Sequence, residues 1–118
     1  MILLSQILIG LVALLHLLFL VLEMLFWEKS LGLKVFGHKR DFARQSRILA
    51  MNQGLYNGFL AAGLIWGLIA VESDKSISLF FLTCVIVAGV FGAITASHKI
   101  LIIQALPAVL ALVSVLVS

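Results

Sequence analysis

The sequence predicts an all-α, integral membrane four-helix bundle, and three observations predict it. Of the 118 residues, 64% are hydrophobic and 11% charged, with a mean hydropathy of +1.27, whereas soluble domains hold roughly 45–50% apolar and about 25% charged residues. The apolar residues are gathered into four runs instead of being spread along the chain. At roughly 20 residues per crossing, four crossings take about 80 positions, which leaves one membrane domain over residues 1–118 and no room for a second. Composition excludes a soluble enzyme, a disordered regulator and a nucleic-acid-binding domain, and the lone Cys84 excludes an internal disulfide framework.

The first run, residues 2–27, is interrupted only by Ser5, Gln6, His16 and Glu23. It lacks a basic leading region and a small-residue cleavage site, so it reads as a retained span and not a removed signal peptide. Residues 28–47, EKSLGLKVFGHKRDFARQSR, form the one long polar stretch. Within it Leu31, Leu33, Val35 and Phe36 accompany Lys34 and two glycines, a pattern suited to a segment at the membrane interface, with a lid over an inner cavity as the alternative. Asp41 is placed to cap a helix start, and Arg44 and Arg47 lie three apart on one face, so the second span is expected to begin outside the hydrocarbon. That span covers residues 48–71. After the short link ESDKS the third covers 77–97, and the fourth covers 100–117, where Pro107 loosens the helix by lacking an amide donor.

Lys and Arg near span ends stay preferentially in the cytoplasm. Lys29, Lys34, Lys39, Arg40, Arg44 and Arg47 precede the second span and Lys99 lies in the hinge before the fourth, so seven of the eight basic residues fall on one face. The opposite face holds both termini and the link with Glu72, Asp74 and Lys75. The expected location is a bacterial plasma membrane with both ends outside. The net charge of +3 is then local to the inner surface and suits anionic lipid heads.

An ionisable residue inside a span is costly and marks a candidate site. Glu23 is the leading case, and His16, seven residues earlier, points from the same helical face. A packed seam with one buried polar pair, or a boundary acid reaching the inner water layer, are the plainer readings. The second span carries the densest polar cluster, in NQGLYNGFLAAGLIWG. Asn52 and Tyr56 form one stripe and Gln53 and Asn57 another, while Gly54 with Gly58 and Gly63 with Gly67 are small-xxx-small pairs that permit close helix approach. In the third span Ala88, Gly92 and Ala96 line one side and Gly89, Ala93 and Ser97 another, with Thr95 and His98 near the inner end. Gln104 lies about one turn inside the fourth. Glu23, Asn52, Gln53, Thr95, His98 and Gln104 therefore fall in the cytoplasmic half, which points to a pocket open inward. A through-going channel is disfavoured because no polar lining continues outward. No dinucleotide or phosphate-loop motif, Cys-rich metal site or nucleophile motif is present, and the spacing of His16, Glu23 and His98 matches no dedicated metal signature.

Through LLHLLFLVLEMLFW, GLKVFG and NQGLYNGFLAAGLIWG, the chain resembles, over essentially its full length, a family of small bacterial four-span membrane proteins of unknown function. That resemblance implies architecture and supplies no reaction. A weaker one, carried by Arg44, Arg47 and Asn52, is to the membrane-associated eicosanoid and glutathione metabolism proteins. It implies a trimer binding glutathione between protomers. That family places a carboxylate after the asparagine where this chain has Tyr56 and Asn57, and Glu23 takes its place only if the first span packs against that face.

These observations support several functions. In the first, an inward pocket binds a small molecule or lipid, with Glu23, Asn52, Gln53 and Asn57 for polar recognition, His16 and Gln104 nearby, and Arg44 or Arg47 for an anionic group. Any chemistry there would use Glu23 as a general acid or base. In the second, Glu23 is the coupling carboxylate of a small oligomeric proton-coupled transporter. In the third, the amides and glycines hold together a structural membrane subunit. A homo-oligomer is expected in each, and no cofactor is named by any motif.

Overall fold

The computed structural model describes residues 1–70 and 74–118, and no strand occurs among them. Val71, expected to end the second span, and Glu72 of the acidic link lie outside the described residues.

The first apolar run forms α1, Leu3–Met24. Its hydrogen-bond pattern continues through Leu25 and Phe26, whose amides donate to Val21 and Leu22. The interfacial segment is a seven-residue helix, α2, Ser30–Phe36. It stops at Gly37, whose φ of 67° is costly for any residue with a Cβ. The amides of Gly37 and His38 both donate to the Leu33 carbonyl, at 2.9 and 3.2 Å, satisfying an end that would otherwise be orphaned.

Next comes α3, Arg40–Gln45, and here the sequence reading needs a correction. Lys39, with extended backbone, is the N-cap and makes no side-chain cap bond, while Asp41 sits inside the first turn. There its charge favours the helix N-terminus by position alone. Ser46 interrupts the path, so Arg44 and Arg47 belong to different helices. Helix α4 is Arg47–Ile69 and α5 is Ser76–Thr95.

The expected effect of Pro107 is visible as a π-helical turn, Leu101–Ala105, leading into α6, Leu106–Val117. Pro107 has no amide hydrogen for the Ile103 carbonyl. The pattern has already widened in the preceding turn, where the Leu106 amide donates to Leu101, five residues back. Close approach to α5 accompanies this turn: a Cβ on Gly89 would lie 2.8 Å from the Ala105 amide nitrogen. The small-residue stripe that packs is therefore the one holding Gly89 and Ala93, both buried, whereas Ala88 and Ala96 are exposed.

Two helices, α1 and α5, are long and apolar enough to cross a membrane, and Leu101–Val117 is a shorter apolar helix. The chain divides into two compact units. An apolar unit comprises residues 1–14 and 60–118. Its core is Ile9, Val12 and Ala13 of α1, Leu64 of α4, Leu82 and Val85 of α5, and Ala108, Ala111 and Val115 of α6. Its polar content is slight: the hydroxyls of Ser5 and Ser114 bond to each other at 2.7 Å, and Ser78 Oγ is buried without a hydrogen-bond partner among the described residues. A polar unit comprises residues 15–59, with the end of α1, α2, α3 and the first half of α4.

Candidate functional site

Within the polar unit, two glycines set the geometry. A Cβ on Gly54 would lie 2.6 Å from Met24 Cγ and 3.2 Å from Glu23 Cβ, and one on Gly58 would lie 2.7 Å from Leu20 Cδ1. Missing side chains at both positions let the last turns of α1 lie against α4. This seam carries Glu23 to Asn57, whose Nδ2 donates to Glu23 Oε1 at 2.5 Å. Both residues are buried, with Glu23 only 4% exposed. A carboxylate so removed from water needs this partner, because an unpaired buried polar group is strongly unfavourable. Two turns earlier His16 is fully buried, its ring edge-on to Phe19 with centroids 5.5 Å apart.

Beside this pair opens a cleft of about 270 Å³ lined by Met24, Leu25, Trp27, Glu28, Lys29, Arg47 and Met51. Thioethers and apolar carbons form one part of its wall and three charged side chains the other. Arg47 Nε lies 3.4 Å from Glu28 Oε1, and the two side chains are 57% and 38% exposed. An ion pair this exposed contributes roughly 0–1 kcal/mol, so it opens readily.

Trp27 also belongs to an aromatic cluster that the sequence reading missed. Its ring is 4.9 Å from that of Phe36 and 4.4 Å from that of His38, and His38 is 5.2 Å from Phe42. His38 Nε2 is buried there with no hydrogen-bond partner among the described residues. Trp27 Nε1 donates to Ser46 Oγ at 3.0 Å, and that hydroxyl donates to the Phe42 carbonyl at 2.6 Å. The end of α1 is thus tied to the α3–α4 break. The aromatic residues on either side of Gly37 were the available signal.

Of the expected site residues, the polar unit joins Glu23 to Asn57, buries His16 two turns back along α1 and places Arg47 in the wall of the cleft, while others stand apart. Arg44 is exposed on α3, and Asn52, Gln53 and Tyr56 are exposed on α4. The Asn52 amide donates to Ile48 of its own helix at 2.8 Å. Gln104 is half-buried in the π-turn of the apolar unit, where Thr95 donates to the Phe91 carbonyl and His98 is exposed. That unit has its own hollow, mostly apolar, lined by Phe80, Thr83, Cys84, Val87, Ala88 and Phe91. No group of three or more His, Cys, Asp or Glu among the described residues could hold a metal ion.

A family described as proteins of unknown function, DUF1304, matches residues 10–116. The chain belongs to this family. A relative, the uncharacterised protein YpaA of Lactococcus lactis subsp. lactis (strain IL1403), is 34% identical over 77 residues, which cover 64% of this chain and 65% of that protein. The chain thus spans just under two thirds of that relative's length. No solved structure matches it. Membership in a family of unknown function agrees with that part of the first resemblance drawn from the sequence; it speaks neither to membrane spans nor to an activity.

Proposed function

We propose that this DUF1304 member is an integral membrane protein of the bacterial plasma membrane, a four-span bundle with both termini outside, whose inward-facing cleft binds a small molecule or lipid. The membrane reading is supported by how little of the apolar surface is covered. Only 28% of the most apolar stretch of α1, and the same share for α5, is buried within the chain. The core helix of a soluble protein would be mostly buried. Leu3, Leu4, Ile7, Leu11, Leu14 and Leu18 of α1 are among the large apolar residues left exposed.

The observation that carries the binding reading is the cleft itself, where Met24 and Met51 meet the charged side chains of Lys29 and Arg47. The buried Glu23–Asn57 bond fixes the α1–α4 seam behind Met24. Ligand pockets usually enclose about 300–1,000 Å³, and the roughly 270 Å³ here lies just below that range. A second copy supplying a further wall would enlarge it, in keeping with a homo-oligomer.

Glu23 also favours a second reading, as a glutathione-dependent membrane enzyme. Its contact with Asn57 brings a carboxylate to the helix that bears Arg47, the arrangement the weaker resemblance requires. One experiment tests both readings: native mass spectrometry of the gently purified wild type, Arg47→Ala and Glu23→Gln proteins. A retained molecule on an oligomer, lost from Arg47→Ala, is the expected outcome. Retained glutathione would select the second reading, and ligand-free spectra from three equally stable proteins would remove both.

A further inference from the structure

We infer that the occupant of this cleft is an anionic amphiphile with an acyl chain, its phosphate or carboxylate head taking the place of the Glu28 side chain on Arg47. The inference rests on the binding reading above and adds the ligand's chemistry to it. Arg47 Nε lies 3.4 Å from Glu28 Oε1, and the arginine side chain is 57% exposed. A guanidinium this exposed can turn its planar fork to a phosphate or carboxylate and offer it paired hydrogen bonds. Lys29 lines the same cleft and adds a second positive charge. Glu28 is a carboxylate already parked at an anion site, held only by an exposed pair that a better-fitting anion can displace.

The tail follows from the apolar wall. Met51, Leu55 and Phe59 recur every four residues along α4 and are 36%, 42% and 58% exposed. They share one helical face, so an apolar track about two turns long leads from Met51 in the cleft along α4. Leu25, 65% exposed, adds apolar surface at the mouth. A soluble anion would use the arginine and leave this track empty, whereas an acyl chain covers it.

The test is a titration of the purified full chain in nonionic detergent, read by native mass spectrometry. The probes are phosphatidylglycerol, phosphatidic acid and oleate, against phosphatidylcholine, inorganic phosphate and glutathione. Wild type is expected to hold the three anionic amphiphiles at least about tenfold more tightly than phosphatidylcholine, with neither phosphate nor glutathione displacing them. Glu28→Gln is expected to tighten them about fivefold by removing the competing carboxylate, and Arg47→Gln to weaken them to the phosphatidylcholine level. Unchanged unfolding temperatures in both exposed-site variants confirm that folding is intact.

Equal binding of phosphatidylcholine would overturn the anionic assignment while leaving the cleft a binding site. Displacement by phosphate or glutathione would overturn the acyl assignment in the same way. An unchanged or weakened affinity in Glu28→Gln would overturn the exchange at Arg47. Retention of none of the probes by any of the three proteins would remove the binding reading together with the inference.

Discussion

Helix α4 carries two glycine pairs at the same four-residue spacing, and the two units use them differently. In the polar unit, Gly58 faces only the tip of the Leu20 side chain, whereas Gly54 faces Met24 Cγ, Glu23 Cβ and, at 3.3 Å, the Leu20 carbonyl oxygen of α1. In the apolar unit, Gly63 faces the ring of Phe81, and Gly67 faces Ser78, first its hydroxyl and then its backbone, which lies 3.1–3.2 Å from where a Cβ would sit. Side-chain tips can move aside and backbone cannot. The same motif therefore holds an adjustable contact at Gly58, in the polar unit, and a fixed one at Gly67, in the apolar unit. Polar burial divides the same way: a carboxylate–amide bond in one unit and a hydroxyl–hydroxyl bond in the other.

Substitutions can break this comparison. The largest effect is expected for Gly67→Val, which drives a branched side chain into the Ser78 backbone. Overpacking of this kind costs about 3 kcal/mol or more where the neighbour cannot yield, read as a large fall in the unfolding temperature in detergent. Next is Asn57→Leu, which leaves Glu23 buried without its amide partner and is expected to cost about 1–3 kcal/mol. The double variant Glu23→Met with Asn57→Leu should recover most of that loss, and a cycle without coupling would show that the pair does not hold the seam. Ser5→Ala in the apolar unit is expected to cost less, about 1 kcal/mol, because both partners are neutral.

Smaller still is Gly58→Ala. Its methyl meets only the tip of Leu20, and alanine gains about 1 kcal/mol of helix preference over glycine, so the net change should stay within about 1 kcal/mol of zero. A loss as large as that of Gly67→Val would end the distinction between these two positions. The slightest effect concerns Asp74, which accepts hydrogen bonds from the Ser76 hydroxyl and amide and is thereby held below its ordinary value of 3.8. A lowered carboxyl contributes stability above its unfolded value and loses it as the pH falls through the folded one. Asp74→Asn should thus differ from wild type above about pH 4 and converge with it in stronger acid, in unfolding scans across that window.

Much of the fold was legible because apolar runs are long and their breaks are few. The four runs correspond to α1, α4, α5 and the π-turn with α6, and Pro107 announced the irregularity before α6. Asp41 misled because a capping residue type says nothing of which neighbour adopts the extended conformation, and here Lys39 does. At the candidate site, Glu23 and Asn57 could be singled out by the cost of burying them. Gln53, on the same stripe as Asn57, is exposed. Its neighbour Gly54 is the residue buried against Met24 and Glu23 of α1. Helical spacing assigns a face, and the tertiary contacts made there decide which of its residues are buried. The ring cluster about His38 escaped notice because it depends on two helix breaks, after Met24 and at Gly37, that periodicity does not encode.

That cluster also gives the chain an optical handle. Trp27 and Trp66 are its two tryptophans. Trp66 is 56% exposed in the apolar unit, whereas the Trp27 indole is hydrogen-bonded to Ser46 and in ring contact with Phe36 and His38. With Trp66 replaced by Phe, the remaining emission comes from an indole that lines the cleft and touches an imidazole, a group able to quench it. Any event that separates those two rings, or seats a molecule beside Trp27, changes the brightness or colour of a single native fluorophore. The protein carries its own reporter at the point where an occupant would arrive.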